Sequence, residues 1–313
     1  MPSTHRPILL DGGTGRELLR MGAPFRQPEW SALALIDGPE YVARVHRSYI
    51  EAGADVITTN SYAVVPFHIG AERFERDGFR LAALAGRLAR ETVDAGPHHV
   101  RVAGSLPPVC GSYRADLFDA AVARPVLQQL VRALEPYVDL WLAETMSSEA
   151  EMRLVSEVLA DSALPWWASY TLSDGGIASS APRLRSGELV EAAAASAARR
   201  GAQAVLFNCC QPEVIGPALA SANRGFGSEA GNGGLSPPLI GAYANAFVPQ
   251  AKIASANADL HELRPDLTPG EYLSWARHWL LEGADIVGGC CGVGPEHIAL
   301  MREAFAAAKG DRE

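Results

Sequence analysis

The sequence predicts a single (β/α)8 TIM barrel over residues 1–313. Three observations carry that expectation. Short apolar or β-branched runs alternate with longer amphipathic stretches from end to end, eight of each. The first apolar run leads into Asp11-Gly12-Gly13-Thr14-Gly15, which only loosely resembles the glycine-rich phosphate turn of a doubly wound sheet. Finally, Glu51-Ala52-Gly53-Ala54-Asp55 and Glu282-Gly283-Ala284-Asp285 repeat one helix-to-strand junction, with a glycine suited to a helix C-cap.

The elements follow in order. Pro7–Asp11 reads as the first strand, Pro39–Ala52 as a helix closed by Gly53, and Asp55–Thr59 as the second strand. An Ala/Leu/Arg helix over Phe79–Asp94, closed by Gly96, precedes the third strand, Val100–Ser105. Helix Pro125–Leu134, strand Val138–Ala143, helix Ser148–Leu159 and strand Trp166–Leu172 come next. Gly187–Arg200 reads as a helix, Gln203–Phe207 as the sixth strand, and a short helix starts at Glu213. The Gly- and Ser-rich stretch Arg224–Pro237 reads as a mobile linker on the face away from the strand C-termini. Strand Pro238–Tyr243, helix Pro269–Glu282, strand Asp285–Val287 and helix Pro295–Lys309 complete the chain. Loops after strands form the active face of such a barrel, which places segments 12–38, 60–70, 106–124 and 245–268 around the site.

Composition narrows the function classes. An apolar share of 48 % over 313 residues supports a large core and excludes a disordered, collagenous or disulfide-stapled chain. The balance of 27 Lys+Arg against 36 Asp+Glu, a net −9, argues against nucleic acid or an anionic membrane as the main partner. Met1–Pro7 is polar, no secretory apolar segment follows it, and no run reaches the roughly 18 apolar residues of a membrane span. The expected location is cytoplasmic. Five cysteines, four of them in two adjacent pairs, make a poor disulfide framework and point to metal or thiol chemistry.

Gly288-Gly289-Cys290-Cys291-Gly292 closes the eighth strand. Neighbouring side chains of a regular strand point to opposite faces, so two adjacent cysteines share a ligand only where the backbone leaves the pleat. The flanking glycines permit that. Cys209, ending the sixth strand in Phe207-Asn208-Cys209-Cys210, approaches the same mouth. Three thiolates without a fourth Cys or His fit Zn²⁺ with one position open, the pattern of a catalytic site. Buried apolar cysteines or a redox vicinal pair are the alternative. Cys110 stands alone in a loop.

These residues resemble the zinc-dependent homocysteine S-methyltransferase family, and the resemblance runs from Asp11-Gly12-Gly13 to Gly288-Gly289-Cys290-Cys291-Gly292-Val293. Thr59-Asn60-Ser61-Tyr62, Gly104-Ser105-Leu106-Pro107-Pro108, Glu144-Thr145 and Asn208-Cys209 match between them. The resemblance implies a barrel, zinc on Cys209, Cys290 and Cys291, and homocysteine held at its amino group by Asp11, with Gly12 beside it, and by Glu144. It further implies Asn245 as a resting fourth ligand to the metal. Thr59, ending the second strand, is a candidate contact for the substrate carboxylate. Trp30-Ser31-Ala32 is similar to the S-methylmethionine-dependent branch, and Trp30, Tyr62 and Tyr113 are candidates for a cation–π cage around an onium methyl donor. The missing folate and cobalamin modules and long C-terminal arm of other branches favour a sulfonium donor. Ala244 and Ala246-Phe247 depart from the family pattern near that loop. Two other classes are weighed. A zinc hydrolase would show His-x-His, which the eight histidines never form, and a thiol sensor would not need Asp11 and Glu144 at the mouth.

Overall fold

A computed structural model describes residues 6–174, 181–230, 236–248 and 262–307. Eight parallel strands form one sheet: β1 (Ile8–Leu9), β2 (Val56–Thr58), β3 (Arg101–Leu106), β4 (Leu140–Met146), β5 (Trp166–Tyr170), β6 (Ala204–Asn208), β7 (Leu239–Tyr243) and β8 (Ile286–Val287). Their hydrogen-bonded order is β1-β8-β7-β6-β5-β4-β3-β2. A parallel bridge between Leu10 and Val56 and a 3.0 Å bond from the Asp11 amide to the Val56 carbonyl join the two ends. The chain is therefore a (β/α)8 barrel, as the alternating pattern predicts.

Two cores follow from the period of two along each strand. Leu10, Val56, Ala103, Leu140, Leu142, Trp167, Ala204, Leu206 and Ile286 point inward and fill the barrel, with Tyr243 above them. Their neighbours Leu9, Ile57, Val102, Trp141, Ala168, Val205, Ile240 and Val287 point outward under the helices. Continuing the alternation toward the strand ends puts Thr58, Ser105, Glu144, Ser169 and Asn208 on the inner face, level with Tyr243. A polar layer thus sits on an apolar plug, and it faces the mouth.

The helical ring is α3 (Pro39–Glu51), α5 (Ala71–Asp94), α6 (Ala120–Leu134), α7 (Glu149–Val158), α8 (Val190–Arg199), α9 (Ile215–Ala230), α10 (Pro269–Leu281) and α11 (Pro295–Ala307). Three short helices, α1 (Thr14–Arg20), α2 (Ala32–Asp37) and α4 (Pro66–Ile69), fill loops that read as irregular from sequence. Helix α5 starts eight residues before its predicted start at Phe79, because Phe74 and Gly78 continue its buried stripe through a charged run. Helix α6 starts at Ala120, where the Asp119 carboxylate accepts the Ala121 amide at 2.8 Å, and it carries Pro125 inside.

The predicted linker at Arg224–Pro237 is corrected in its first half. Helix α9 continues to Ala230, and residues 231–235 lie outside the described residues. Ala218, Leu219, Ala222 and Phe226 form a buried stripe on it. Gly225 serves packing rather than mobility: a Cβ there would lie 2.4 Å from the Glu191 carbonyl oxygen of α8. No helix among the described residues is long and apolar enough to cross a membrane.

Candidate active site

The barrel mouth closes over an internal cavity of about 100 Å³. Asp11, Gly12, Trp30, Thr59, Tyr62, Tyr113, Glu144, Cys209, Cys290 and Cys291 all line it. Sequence reasoning singled out each of them, and they come from the ends of six strands and the loops that follow.

The three thiols converge. The Sγ atoms of Cys209, Cys290 and Cys291 lie within 4.8 Å of one another. The pleat alone would not achieve this, since Cys209 follows inward-facing Asn208 and would point out under the helices. Its φ of +51° turns it back toward the mouth, while Cys210 stays fully buried in the outer core. The Cys290–Cys291 turn is held by bonds from the Cys290 amide to the Ala244 carbonyl, 3.0 Å, and from the Ala246 amide to the Cys291 carbonyl, 2.8 Å. Tyr272 donates its buried hydroxyl to the Ala244 and Gly288 carbonyls behind that turn. Gly12 and Gly13 let the first loop lie against it, since a Cβ would come within 2.2 Å of the Val293 oxygen and 2.6 Å of the Cys290 oxygen respectively. Hydrogen bonds from the neighbouring Cys290 and Cys291 thiols hold the Cys209 pKa well below the ordinary thiol value, while the same bonds raise those of Cys290 and Cys291 well above it, so the metal-free cluster favours a single thiolate at Cys209.

This donor set fits a zinc ion. Zn–S bonds of about 2.3 Å in tetrahedral geometry place sulfurs about 3.8 Å apart, inside the observed limit. Among the described residues this is the one Cys/His/Asp/Glu group with such convergence, and it supplies three ligands rather than four.

Asp11 is buried near the thiols, and Glu144 is half-buried beside them. Asp11 Oδ2 accepts the Thr58 amide at 2.7 Å and Oδ1 accepts the Thr58 hydroxyl at 3.1 Å, while the Asp11 carbonyl accepts the Gly289 amide. Asp11 therefore ties β1 to β2 and to the loop after β8. Glu144 Oε1 accepts the Ser105 hydroxyl at 2.5 Å. Burial raises the Asp11 pKa to about 7 and the Glu144 pKa to about 8. Among the described residues neither acid caps a helix nor has an arginine partner, so each is placed to receive a cation from a ligand.

The remaining expected residues divide. Trp30 packs edge-on to Tyr62, centroids 6.0 Å apart, and stacks on His68 at the same distance. The Tyr62 hydroxyl bonds Ser112 at 2.6 Å. Tyr113 carries Arg185 over its ring at 4.4 Å, so one of its faces is already covered. The Thr59 hydroxyl accepts the Ser105 amide at 3.0 Å and pairs with Ser61, which makes it a brace between β2 and β3 as well as a cavity wall. Asn245 does not line the cavity, and its amide oxygen accepts from Gln211 Nε2 at 3.3 Å and from the Phe247 amide at 3.2 Å. The resemblance implied a metal ligand there, but the oxygen is already engaged in holding the loop. Of segment 245–268, residues 245–248 and 262–268 are described, and Ala246 joins the Cys291 carbonyl to the Arg264 amide.

Sequence reasoning missed the buried strut that holds this geometry. Asn208 Oδ1 accepts from the Thr145 amide, 2.9 Å, and the Ser169 hydroxyl, 2.7 Å, and Asn208 Nδ2 donates to Thr145 Oγ1 at 2.8 Å. Thr145 has φ of +62° and directly follows Glu144. Counting the pleat from Leu206 would have turned Asn208 inward and flagged it.

With the geometry in place, comparison with known proteins is decisive. Residues 8–305 match the family described as homocysteine S-methyltransferase. The chain belongs to the homocysteine S-methyltransferase family. Among relatives in this family, homocysteine S-methyltransferase 1 of Arabidopsis thaliana is 28 % identical, over 94 % of this chain and 92 % of that protein. Selenocysteine methyltransferase of Astragalus bisulcatus is 25 % identical, over 94 % and 90 %. The crystal structure of the homocysteine methyltransferase MmuM from Escherichia coli, in its metallated form, superposes with a TM-score of 0.73 at 26 % identity, covering 96 % of this chain and 97 % of that one.

Proposed function

We propose that this protein transfers a methyl group from a sulfonium donor, S-methylmethionine or S-adenosylmethionine, to the thiol of L-homocysteine, with Zn²⁺ held by Cys209, Cys290 and Cys291. The observation that carries the reading is the meeting of three thiols and two carboxylates without a cationic partner among the described residues in one small cavity. Membership of the methyltransferase family and the metallated relative support it.

Zinc bound there would supply acidity, holding as thiolate an acceptor sulfur whose free pKa is about 8.5. The chain's own residues do the rest. Asp11 and Glu144 receive the homocysteine ammonium, which offsets the burial of their charge and fixes which way the side chain runs. Trp30 and Tyr62 offer π-faces to the donor's positive sulfur. The acceptor sulfur's electron pair forms the new S–CH₃ bond. The donor's C–S bond breaks, and its electron pair returns to the donor sulfur as a neutral thioether. The thiol proton leaves to solvent. No covalent enzyme intermediate is needed, so positioning supplies most of the acceleration, and orientation of two reactants alone is worth roughly 7–11 kcal/mol.

The test is a panel of onium donors with homocysteine, scored for methionine by mass spectrometry beside metal analysis of the purified protein. Methionine from a sulfonium donor with about one zinc per chain is the expected result. No methionine from any donor, with zinc present, would overturn the reading.

A further inference from the structure

The inner cavity of about 100 Å³ is small for two amino-acid substrates, and Tyr113 separates it from an outer groove of about 680 Å³. We infer that this groove seats the amino-acid end of the methyl donor, with Arg185 recognising its α-carboxylate and Glu188 its α-ammonium. The inference rests on the reading of the protein as a sulfonium-dependent methyltransferase and names the donor class: a sulfonium that carries an amino-acid group.

The groove is built for a zwitterion. Arg185 lines it with a side chain only 17 % exposed. Its Nη2 is held by Asp174 at 2.9 Å and its Nε by Thr171 Oγ1 at 3.2 Å, and its plane lies on the Tyr113 ring. Its Nη1 has no partner among the described residues. A guanidinium fixed on two sides with one edge open is pre-organised for a carboxylate and loses little freedom on binding it. Three residues on, Glu188 also lines the groove. Its Oε2 accepts the Glu149 amide and the Ser186 hydroxyl, while Oε1 is open among the described residues. Arg114 and Asp116, which share the groove, satisfy each other through two bonds of 2.8 and 2.7 Å and compete for neither role.

Tyr113 sets the placement. It lines the inner cavity together with the three thiols, and its ring lies under Arg185 in the outer groove. One aromatic side chain therefore stands between the thiols and the guanidinium, so a donor whose sulfonium enters the inner cavity carries its amino-acid end past this ring toward Arg185.

The experiment compares wild type with Arg185→Gln, Arg185→Lys and Glu188→Gln, each checked for zinc content and homocysteine binding. Equilibrium dialysis reads S-methylmethionine binding, and turnover is run with S-methylmethionine and with trimethylsulfonium, which has no amino-acid end. Arg185→Gln should weaken S-methylmethionine binding at least tenfold, with Arg185→Lys recovering part, while trimethylsulfonium turnover and homocysteine binding stay unchanged. Glu188→Gln should weaken it less. Equal losses for both donors, or for homocysteine, would make Arg185 a support for Tyr113 and overturn the inference; so would unchanged S-methylmethionine binding. Binding that responds as expected without any methionine formed would instead defeat the proposed reaction and leave the seat standing.

Discussion

The two ends of the barrel treat the same chemical groups in opposite ways. At the base, acids stand just before strands, and each accepts a strand amide. Asp55 accepts the Leu9 amide at 2.9 Å and pairs with Arg6 and Arg302. Asp139 accepts the Val102 amide and pairs with Arg90, and Asp285 accepts the Ile240 amide. Each pins the amide of the second residue of an adjacent strand. At the mouth, Asp11 is buried and Glu144 half-buried, neither has a cationic partner among the described residues, and desolvation raises their pKa values to about 7 and about 8. Backbone strain divides in the same way. Helix-to-strand turns at the base place glycine at positive φ, as at Gly53, Gly201 and Gly283. Among the described residues, the non-glycine residues at positive φ are Trp30, Tyr113, Thr145 and Cys209, and all four line the cavity. Such residues cost about 1–3 kcal/mol each unless their surroundings hold them. The base is arranged for stability, and the mouth spends part of it to aim side chains.

The largest effect that tests this contrast lies at the thiols. Cys209→Ala and Cys290→Ala should each lose zinc and reduce methyl transfer by about 1,000-fold or more, whereas Cys210→Ala, on the outward side of the same strand end, should keep both. Metal analysis beside turnover decides it, and zinc retained in both of the first two variants would sink the ligand assignment.

Next in size is the strut. Asn208→Ala removes three buried hydrogen bonds and leaves the Thr145 amide unsatisfied at a strained position. Stability should fall by about 3 kcal/mol, and turnover should fall by about tenfold to a hundredfold because Glu144 directly precedes Thr145 and Cys209 directly follows Asn208. Asn208→Asp keeps the acceptor for Thr145 and Ser169 and should recover part of the turnover. A variant that loses stability with kcat and both KM values intact would reduce Asn208 to core packing.

How far the sequence revealed this contrast depends on what each feature requires. The eight βα units were legible because the pleat and the helix have different periods, and the Gly-Ala-Asp junctions marked the base. The first half of α5 and the end of α9 were hidden, since charge and glycine there serve a solvated face and a close helix crossing. At the mouth, residue type was enough to nominate Cys209, Cys290, Cys291, Asp11 and Glu144. It was not enough to show that Cys209 needs a left-handed backbone to reach the others, or that the Asn245 oxygen is taken by Gln211 and Phe247. Backbone signs and loop hydrogen bonds depend on contacts distant in sequence, such as Asn208 with Thr145, and no local pattern encodes them.

The acids themselves sharpen the contrast through paired substitutions, read by urea unfolding of the metal-free protein. Glu144→Gln should raise stability at pH 7, because the folded state must keep a proton that the unfolded carboxyl gives up. With a folded pKa of about 8 against 4.5, that penalty approaches about 3 kcal/mol at pH 7. It is absent below pH 4.5 and grows as pH rises toward 8. The same variant should raise the homocysteine KM strongly with zinc content unchanged. Asp55→Ala should do the reverse, losing about 2 kcal/mol of stability with the kinetics intact. Matching stability changes at the two ends would remove the distinction between them.

At pH 7 the smallest effect lies between the two ends, in the helix layer, and has the opposite sign in pH. His46 on α3 is fully buried, both ring nitrogens lack partners, and burial lowers its pKa to about 4 from 6.5. The folded state therefore keeps it neutral where the unfolded chain protonates it. Its contribution is fully present above pH 6.5 and is lost as pH falls toward 4, by about 1.4 kcal/mol for each unit in that window. Wild-type stability thus sums two opposed slopes, one from mouth carboxylates that resist ionising and one from a histidine that resists protonation. His46→Leu should remove the second slope between pH 6.5 and 4, leaving the carboxylate slope exposed, and should add about 1–2 kcal/mol at pH 7 by deleting unsatisfied polar atoms. The difference in unfolding free energy between variant and wild type, followed across that range, isolates the histidine whatever the other groups do. A difference independent of pH would mean that His46 finds a partner or water in solution and is not the neutral buried ring described above.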